Sequence, residues 1–299
     1  MHSVTKTKEM IPNPEIEVKS QTGNPSLTWA IERIFQDRKD LLDEAVPLEE
    51  PLEISVNGHT VAILMRMPGM EKELAAGFCL SEGYVRHAKD ISLIHHCGLG
   101  EPSLAEPSDT GYQEQSRNRV QIRVRDGGVI LGRNHEAARL IRSGCGATDI
   151  SPLAGDLPHL DTDFSVDPSI ILQLGKTMRS MQRVYHEVGG THSAAVFDVA
   201  GHPVHLAEDI GRHNAVDKVL GYCALRKIPL EDKILLTSGR ASYEMAIKAI
   251  RLKIPVIAAI SAPTSLAVQI AQECGLTVIG YLRRARMNVY THSQRLQQS

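Results

Sequence analysis

The chain has 299 residues, a formal charge of −2 at pH 7 and 42% hydrophobic residues. This balanced charge argues against a protein that wraps nucleic acid or binds membranes through a polybasic surface. The hydrophobic fraction is typical of a globular chain, and the length allows one large domain or two modest ones. Aromatic residues make up only 4% of the chain, which argues against base-stacking platforms for single-stranded nucleic acid.

Targeting and redox signals point to the cytosol. The N-terminal residues contain no apolar run of the kind a signal peptide needs, and the clearest apolar run, Ile254 to Ile260, is too short to span a bilayer. The chain has 5 cysteines, an odd number, and none of them are at CxxC spacing. This usage favours a reducing compartment over a disulfide framework. We therefore expect a cytoplasmic protein with no membrane or nucleic-acid partner.

Four segments are predicted from composition and pattern. Residues 1–46 form an N-terminal extension, in which 26–44 could be a helix although its apolar periodicity is poor. Residues 47–142 are predicted as a smaller α+β domain with antiparallel strands. Residues 143–165 are interpreted as a flexible loop and linker that carries a cysteine, and residues 166–299 as an α/β domain that binds a nucleotide cofactor.

The smaller domain is predicted from turn signals between β-rich runs. Asn57-Gly58 separates two such runs and is typical of a type I′ hairpin, whose two turn positions need positive φ. The predicted elements are strands at 52–56 and 60–65, a helix at 71–80 and a second hairpin that joins 120–124 to 129–131 around Gly127-Gly128.

The larger domain alternates strands with helices. Asp167-Pro168 is typical of a helix start, with an N-cap followed by proline at the first helical position. Repeated strand–helix–strand units imply right-handed crossovers, parallel strands and a layered α/β fold. The predicted strands are 194–199, 204–207, 233–237, 256–260 and 277–281, and the predicted helices are 168–181, 214–225, 242–251 and 264–274.

Three predicted strand ends carry groups suited to an anion. Ligands of open α/β sheets bind beyond the carboxyl ends of the strands, and here these ends are 237–240, 261–264 and 282–286. Hydroxyl groups, arginine forks and free helix N–H groups are what a phosphate or diphosphate needs. For each end the alternative is that the hydroxyls cap helices and the arginines face water. Three such ends in one domain favour an anionic ligand such as a nucleotide.

A fourth polar segment precedes a predicted helix. Residues 208–218, EDIGRHNAVDK, can be interpreted as a capped helix start with solvated charges. They can equally be a loop aimed at the same cleft, with Arg212 and His213 as contacts to an anion or as a base. The residues alone leave both interpretations open.

Cys145 is the cysteine best suited to chemistry. Gly144 and Gly146 make its backbone accessible, and nearby Arg142 favours a thiolate. Such a residue fits a nucleophile or a sulfur carrier, and the alternative is an inert cysteine in a turn. Cys79, Cys223 and Cys274 lie among apolar residues and are interpreted as structural. No metal site is expected at His95-His96-Cys97, because consecutive strand residues point to opposite faces and further ligands at metal spacing are missing.

Several motifs together resemble the FdhD/NarQ family of formate dehydrogenase accessory sulfurtransferases. They are EEPLEISVNG, ELAAGFCLSEG, THSAAVFD, EDIGRHNAVDKV, TSGRASYEM, ISAPTSLAVQIA and RMNVYTHSQRL, and they run from about residue 49 to 296. The resemblance implies a sulfurtransferase that takes persulfide sulfur from a cysteine desulfurase. It passes this sulfur to the Mo-bis(molybdopterin guanine dinucleotide) cofactor, bis-MGD, which formate dehydrogenase requires. It further implies a cytidine deaminase-like second domain and a homodimer.

The resemblance also assigns individual residues. The family's sulfur-carrying cysteine falls on Cys145, and GDP is expected to mimic the cofactor at a stretch near the C-terminus. That stretch comprises Tyr281, Leu282, Arg283, Arg284, Ala285 and Arg286. Ser238, Arg240, Ser261 and Thr264 are expected to line the same cleft, with Arg212 and His213. This chain departs from the family's Cys-Gly-x-Cys-Gly pattern, because Thr148 replaces the second cysteine.

Two competing functions follow from these features. A zinc-dependent nucleoside deaminase would share the implied fold, but its chemistry needs H-x-E and P-C-x-x-C, and the chain has no P-C-x-x-C. The second is a chaperone that binds the cofactor and hands it on without sulfur chemistry. The missing second cysteine keeps this second alternative open.

Overall fold

The computed structural model describes residues 25–97, 118–125, 128 and 157–297. Their strands form sheets of two, four and six strands. The strands are β1 (Ser26–Ile34), β2 (Lys39–Pro47), β3 (Glu50–Val56), β4 (His59–Arg66), β5 (Ile91–Cys97), β6 (Arg119–Val124), β7 (His192–Phe197), β8 (Pro203–Asp209), β9 (Ile234–Thr237), β10 (Val256–Ala259), β11 (Thr277–Arg283) and β12 (Arg286–Val289). The helices are α1 (Glu71–Ser81), α2 (Pro168–Met181), α3 (Arg183–Val188), α4 (Arg212–Leu225), α5 (Tyr243–Arg251) and α6 (Ser265–Cys274).

Residues 26–47 form a β-hairpin, so the helix considered for 26–44 is wrong. β1 and β2 pair antiparallel, from Ser26 opposite Pro47 to Ile34 opposite Lys39. Leu27, Trp29 and Ile31 of β1 lie at every second position, which places these three large apolar residues on one face of a strand. The same spacing in a helix would scatter them around the axis, and this explains the poor helical periodicity.

The four-stranded sheet has the order β4-β3-β6-β5 and is covered on one face by α1. The predicted hairpin turn is confirmed, with φ of 48° at Asn57 and 86° at Gly58. The helix expected at 71–80 is confirmed as α1. The expectation of purely antiparallel strands is wrong, because β6 returns to the middle of the sheet and pairs parallel with β3. The second strand of the other predicted hairpin, 129–131, lies outside the described residues.

The six-stranded sheet has the order β12-β11-β10-β9-β7-β8 and confirms the layered α/β prediction. β9, β10 and β11 are parallel and are connected through α5 and α6. One face packs on α4, α5 and α6, and the other packs on α2. The apolar residues alternate between these two faces along each strand, and this is why the strands read as nearly continuous apolar runs.

Capping residues fix the helix boundaries that the sequence predicted. The Asp167 carboxylate accepts a hydrogen bond from the Ser169 amide at 2.7 Å, which caps α2 as expected. The Thr264 side chain caps α6, and Gly275 ends it with a φ of 78°. Glycine reaches this left-handed conformation without the steric cost that a Cβ would impose.

Candidate functional site

The three predicted strand ends lie side by side at one edge of the six-stranded sheet. The Ile260 amide donates to the Thr237 carbonyl at 3.0 Å, and the Tyr281 amide donates to the Ser261 carbonyl at 3.0 Å. The Thr264 amide also donates to the Ala241 carbonyl at 3.0 Å. Because β9, β10 and β11 run parallel, their carboxyl ends share this edge. The structure therefore brings the predicted segments together.

The arginines of this edge fall into two groups. Arg283 donates through Nη1 to the Ile260 carbonyl at 2.5 Å and to the Leu282 carbonyl at 2.9 Å, so its guanidinium holds the loop itself. Arg240, Arg284 and Arg286 are exposed and form no ion pair or side-chain hydrogen bond with the described part of the chain. These three guanidinium groups remain available to an anion.

The other residues of the 281–286 stretch differ in exposure. Tyr281 is 41% exposed and has a φ of 51°, a left-handed conformation that few residues other than glycine adopt. Leu282 is 1% exposed and belongs to the core that α2 covers. Ala285 is exposed in the turn between β11 and β12. Of these three side chains, Tyr281 and Ala285 are the ones that solvent can reach.

Two of the three predicted hydroxyl groups already accept hydrogen bonds from backbone amides of the protein. Ser238 Oγ accepts from the Ser193 amide at 3.0 Å and lies 3.2 Å from His192 Nδ1. Thr264 Oγ1 accepts from the Ala267 amide at 3.4 Å as the cap of α6. Ser261 is half-buried beside the Tyr281 amide. The capping interpretation therefore accounts for Thr264, and Ser238 is engaged in joining β9 to β7.

Arg212 and His213 begin α4 next to the loop that follows β9. A Cβ placed on Gly239 would lie 3.2 Å from Arg212 Cδ, so the absence of a side chain at Gly239 lets Arg212 approach. Gly211 supplies no side-chain cap to α4, and Arg212 Nε is buried without a hydrogen-bond partner among the described residues. The N-terminus of α4 thus adds positive potential to the same region.

This positive region shifts the pKa values of His192 and Glu244. Burial and the positive charges of Arg212 and His213 lower the pKa of His192, so this imidazole is neutral at pH 7. His213 Nε2 lies 2.6 Å from Glu244 Oε2, and this hydrogen bond lowers the pKa of the Glu244 carboxyl. Glu244 therefore stays ionised and balances part of the local positive charge.

A separate shallow cleft opens beside the start of α4. It has a volume of about 310 Å³, and Met65, Gly190 and Gly211 are among its lining residues. Ile210 and Gly211, from the 208–218 segment that the sequence singled out, also line it, whereas the individual site residues predicted from the sequence do not. The cleft and the arginine-rich edge are therefore different surfaces.

Sequence reasoning missed that Asp209 and Lys218 form a buried contact between the two halves of the chain. Asp209 is fully buried, and its Oδ2 lies 2.7 Å from Lys218 Nζ. The same carboxylate accepts from the amides of Met67 and Gly211, while Lys218 Nζ donates to the Met67 carbonyl at 2.8 Å. Asn214 Nδ2 joins the cluster by donating to the Met65 carbonyl at 2.7 Å.

A second buried cluster forms around Asp217, the residue that precedes Lys218 on α4. Lys248 Nζ lies 2.9 Å from Asp217 Oδ1, and it also contacts Glu82 and donates to Ser81 Oγ at 2.8 Å. Burial alone would lower the pKa of Lys248, but the carboxylates of Asp217 and Glu82 outweigh this and raise it. The charged residues of EDIGRHNAVDKV therefore have different locations: Arg212 and His213 are at the site, whereas Asp209, Asp217 and Lys218 are buried inside the molecule.

Helices α1 and α4 cross at two glycines, and this crossing joins the halves. A Cβ on Gly77 would lie 1.8 Å from the Asp217 carbonyl oxygen, and one on Gly221 would lie 1.8 Å from that of Glu73. The two backbones are therefore in direct contact. The crossing sets the position of α4, whose first turn carries Arg212 and His213.

Cys145 lies outside the described residues, as do Arg142 and Thr148. The cysteines that the structure describes are free and buried. Burial raises the pKa of Cys79, and it raises that of Cys223 to about 11, so both thiols are protonated at pH 7. Cys97 ends β5 and is 8% exposed, while His95 of the same strand is exposed. No group of metal-ligating side chains gathers within the described ranges.

Comparison with known proteins identifies the family. The sequence model of the FdhD/NarQ family matches residues 47–297, and the chain belongs to this family. A relative from Streptomyces coelicolor, named "Sulfur carrier protein FdhD", is 40% identical over 251 residues, which are 83% of this chain and 87% of the relative. A relative of the same name from Sulfolobus acidocaldarius is 36% identical over 85% of this chain and 92% of its own length.

A solved structure shares the fold. It is a formate dehydrogenase accessory protein from Desulfotalea psychrophila, with a TM-score of 0.71 and 23% sequence identity. The match covers 92% of this chain and 100% of the other.

Within the described ranges, the helices are all too short or too polar to cross a membrane.

Proposed function

We propose that this chain is a sulfurtransferase that carries persulfide sulfur on Cys145 from a cysteine desulfurase to bis-MGD, its substrate, for use by formate dehydrogenase. Family membership and the names of the relatives support the carrier role. The observation that carries the substrate assignment is the group of exposed arginines, 240, 284 and 286, which lack carboxylate partners among the described residues. A dinucleotide offers phosphate oxygens that match guanidinium groups in pairs.

The first chemical step is a thiol–persulfide exchange. The Cys145 thiolate attacks the terminal sulfur of the desulfurase persulfide, the donor S–S bond breaks, and the desulfurase cysteine leaves as a thiolate. The sulfur moves without net oxidation or reduction. Its later reduction to sulfide takes two electrons, which a thiol reductant would supply. With Thr148 in the loop, the persulfide has no neighbouring loop cysteine with which to form a disulfide.

The arginine-rich edge is proposed to bind the nucleotide part of the substrate. Arg284 and Arg286 would contact phosphates, with Arg240 and the start of α4 adding positive potential. The exposed Tyr281 ring lies in the same turn region as these arginines. The proposal also includes a homodimer, a cytoplasmic location and a deaminase-like layering of the second domain. One mixed sheet with helices on both faces supports this layering.

Mass spectrometry after incubation with a cysteine desulfurase and free cysteine tests the carrier role. We expect the protein to gain one sulfur atom, located on the peptide that contains Cys145, and Cys145→Ser to gain none there. Cys97→Ser is the matched control and should be loaded like the unmodified chain. Sulfur located on Cys97, Cys223 or Cys274 would contradict the proposal. A protein that binds GDP but never acquires sulfur would be the chaperone of the alternative hypothesis.

A further inference from the structure

His192 lies at the same edge of the six-stranded sheet as the exposed arginines. It is the first residue of β7, and the Ser238 amide donates to the Ser193 carbonyl at 2.9 Å. Because β7 runs antiparallel to β9, its first residue lies beside the carboxyl end of β9. Ligands of open α/β sheets bind beyond these ends. His192 is thus a neighbour of the proposed nucleotide site, although it is not among the residues predicted for that site.

The Ser238 hydroxyl determines which nitrogen of the His192 ring carries the hydrogen. Ser238 Oγ accepts from the Ser193 amide at 3.0 Å and lies 3.2 Å from His192 Nδ1. The described structure offers the hydroxyl proton one acceptor, and it is this ring nitrogen. Nδ1 therefore accepts, and the neutral imidazole carries its hydrogen on Nε2. The ring thus has a hydrogen-bond donor at Nε2.

The Nε2–H group of His192 is open to a ligand. Nε2 makes no hydrogen bond or ion pair with the described residues, yet it is not one of their buried unpartnered atoms. The donor must therefore point to solvent, while Ser238 holds the other side of the ring. A ligand oxygen that replaces the water at Nε2 gains a donor whose orientation is already set.

Positive charge near His192 keeps the ring neutral in the free protein. Burial, followed by the charges of Arg212 and His213 on α4, lowers the pKa of His192. An anion bound at Nε2 would oppose these two charges and raise the pKa again. The ring therefore changes its preferred protonation state when negative charge arrives.

The carboxylates near His192 are already paired with other groups. Asp209 lies opposite His192 in the register of β7 and β8, but its carboxylate is bound to Lys218. Glu244 of α5 is bound to His213 at 2.6 Å. These carboxylates are therefore not available to balance the charge of a protonated His192, and a bound anion is the group that would do so.

We propose that His192 binds the nucleotide at the site proposed above, with its Nε2–H group donating a hydrogen bond to a phosphate oxygen. The phosphate adds negative charge next to the imidazole, so binding favours the uptake of a proton by the ring. Ser238 Oγ can then accept from the new Nδ1–H, because a hydroxyl oxygen has two lone pairs. Protonation and binding strengthen each other by the same factor. Affinity for the nucleotide therefore rises as the pH falls through the range in which His192 titrates.

Calorimetry in buffers of different ionisation enthalpy counts the protons that are taken up when GDP binds. Near pH 6 we expect the unmodified chain to take up more protons than His192→Gln, whose side chain does not titrate. Protonation of GDP itself contributes equally to both proteins and cancels in the difference. His202→Gln is the matched control, since His202 lies next to Asp198 at the other end of the β7–β8 hairpin, and it should behave like the unmodified chain.

The affinities of two variants separate the hydrogen bond from the charge. At pH 8 we expect His192→Gln to bind GDP within about twofold of the unmodified chain, because the glutamine amide can donate from about the position of Nε2. His192→Ala has no donor and should bind about fivefold more weakly. Near pH 6 the unmodified chain should bind GDP about threefold more tightly than His192→Gln.

Nitrogen-15 NMR of the histidine rings observes the proton directly. The signals of His192 are those missing from the spectrum of His192→Gln, and at pH 7 they should show the neutral ring with its hydrogen on Nε2. Saturation with GDP near pH 6 should convert this ring to imidazolium. A hydrogen on Nδ1 in the free protein, or a ring that GDP does not affect, would overturn the proposal.

The outcomes distinguish this proposal from the nucleotide site on which it rests. Equal proton uptake and equal affinity in the unmodified chain, His192→Gln and His192→Ala would overturn the role of His192 and leave the site itself standing. Unchanged GDP affinity in both Arg284→Ala and Arg286→Ala would contradict the site, and the role of His192 with it.

Discussion

Neighbouring arginines of one turn have different roles. The Arg283 guanidinium is bound to two backbone carbonyls, whereas those of Arg284 and Arg286 face solvent without a described partner. A substitution at position 283 thus changes the loop as well as the charge. Substitutions at 284 and 286 change the charge with little effect on the loop.

We therefore expect Arg286→Ala to weaken GDP binding about tenfold. A charge-assisted hydrogen bond contributes about 1.5–3 kcal/mol, and ~1.4 kcal/mol corresponds to one decade in affinity. Isothermal titration calorimetry measures this effect. Arg123→Ala is the control, since Arg123 is an exposed arginine on β6 of the other sheet. Unchanged GDP affinity in both Arg284→Ala and Arg286→Ala would rule out this edge as the nucleotide site.

Glu82 links stability to pH. Burial alone would raise the pKa of Glu82, but the nearby Lys248 outweighs it and holds the pKa below its ordinary value of 4.5. A carboxyl with a lowered pKa stabilises the fold above its unfolded-state value, and this contribution is lost as the pH falls below 4.5 toward the folded-state pKa. We expect Glu82→Gln to be less stable than the unmodified chain at pH 7, and the difference to shrink at lower pH.

Urea unfolding across this pH range measures the difference. Glu231→Gln is a suitable control, because Glu231 is exposed and its side chain has no described ion pair. A difference between Glu82→Gln and the unmodified chain that stays constant with pH would mean that the Lys248 contact is not linked to protonation.

At the scale of elements, the crossing of α1 and α4 depends on two glycines. We expect Gly77→Ala to destabilise the protein by about 3 kcal/mol, because its Cβ would overlap the Asp217 carbonyl and force the helices apart. Gly175→Ala in α2 is the matched control. Its Cβ would meet the Ile260 side chain at 3.2 Å, which can move, and alanine is the better helix former. Thermal unfolding that ranks the two variants equally would contradict the close crossing.

The elements themselves were largely predictable, and the hairpin of 26–47 was the main error. Helix-start residues and short apolar runs between helical segments located α2, α5, α6 and the parallel strands within a few residues, because these signals are local. The roles of Asp217 and Lys218 were not predictable in this way. Their partners Ser81 and Met67 lie 136 and 151 residues away, and a local pattern of charges looks the same whether it faces water or another part of the chain.

For the whole molecule, the family match begins at residue 47 and leaves the N-terminal residues outside it. We expect deletion of residues 1–24 to leave the melting temperature and GDP affinity unchanged, since the cores that the structure describes begin at Leu52. Differential scanning fluorimetry and calorimetry test this. A large drop in melting temperature would show that these residues pack on the rest of the chain.

The hydrogen-bonded contact around Asp209 is formed by different kinds of groups from the two halves of the chain. The second half contributes the side chains of Asp209, Asn214 and Lys218, whereas the described residues of the first half contribute hydrogen bonds through the backbone groups of Met65 and Met67. Any residue other than proline at position 67 presents the same amide and carbonyl. The positions of the first half should therefore tolerate more substitutions than those of the second half. In a saturation library scored by folding, the exposed position 65 should accept many residues and the buried position 67 several apolar ones, while 209, 214 and 218 accept few.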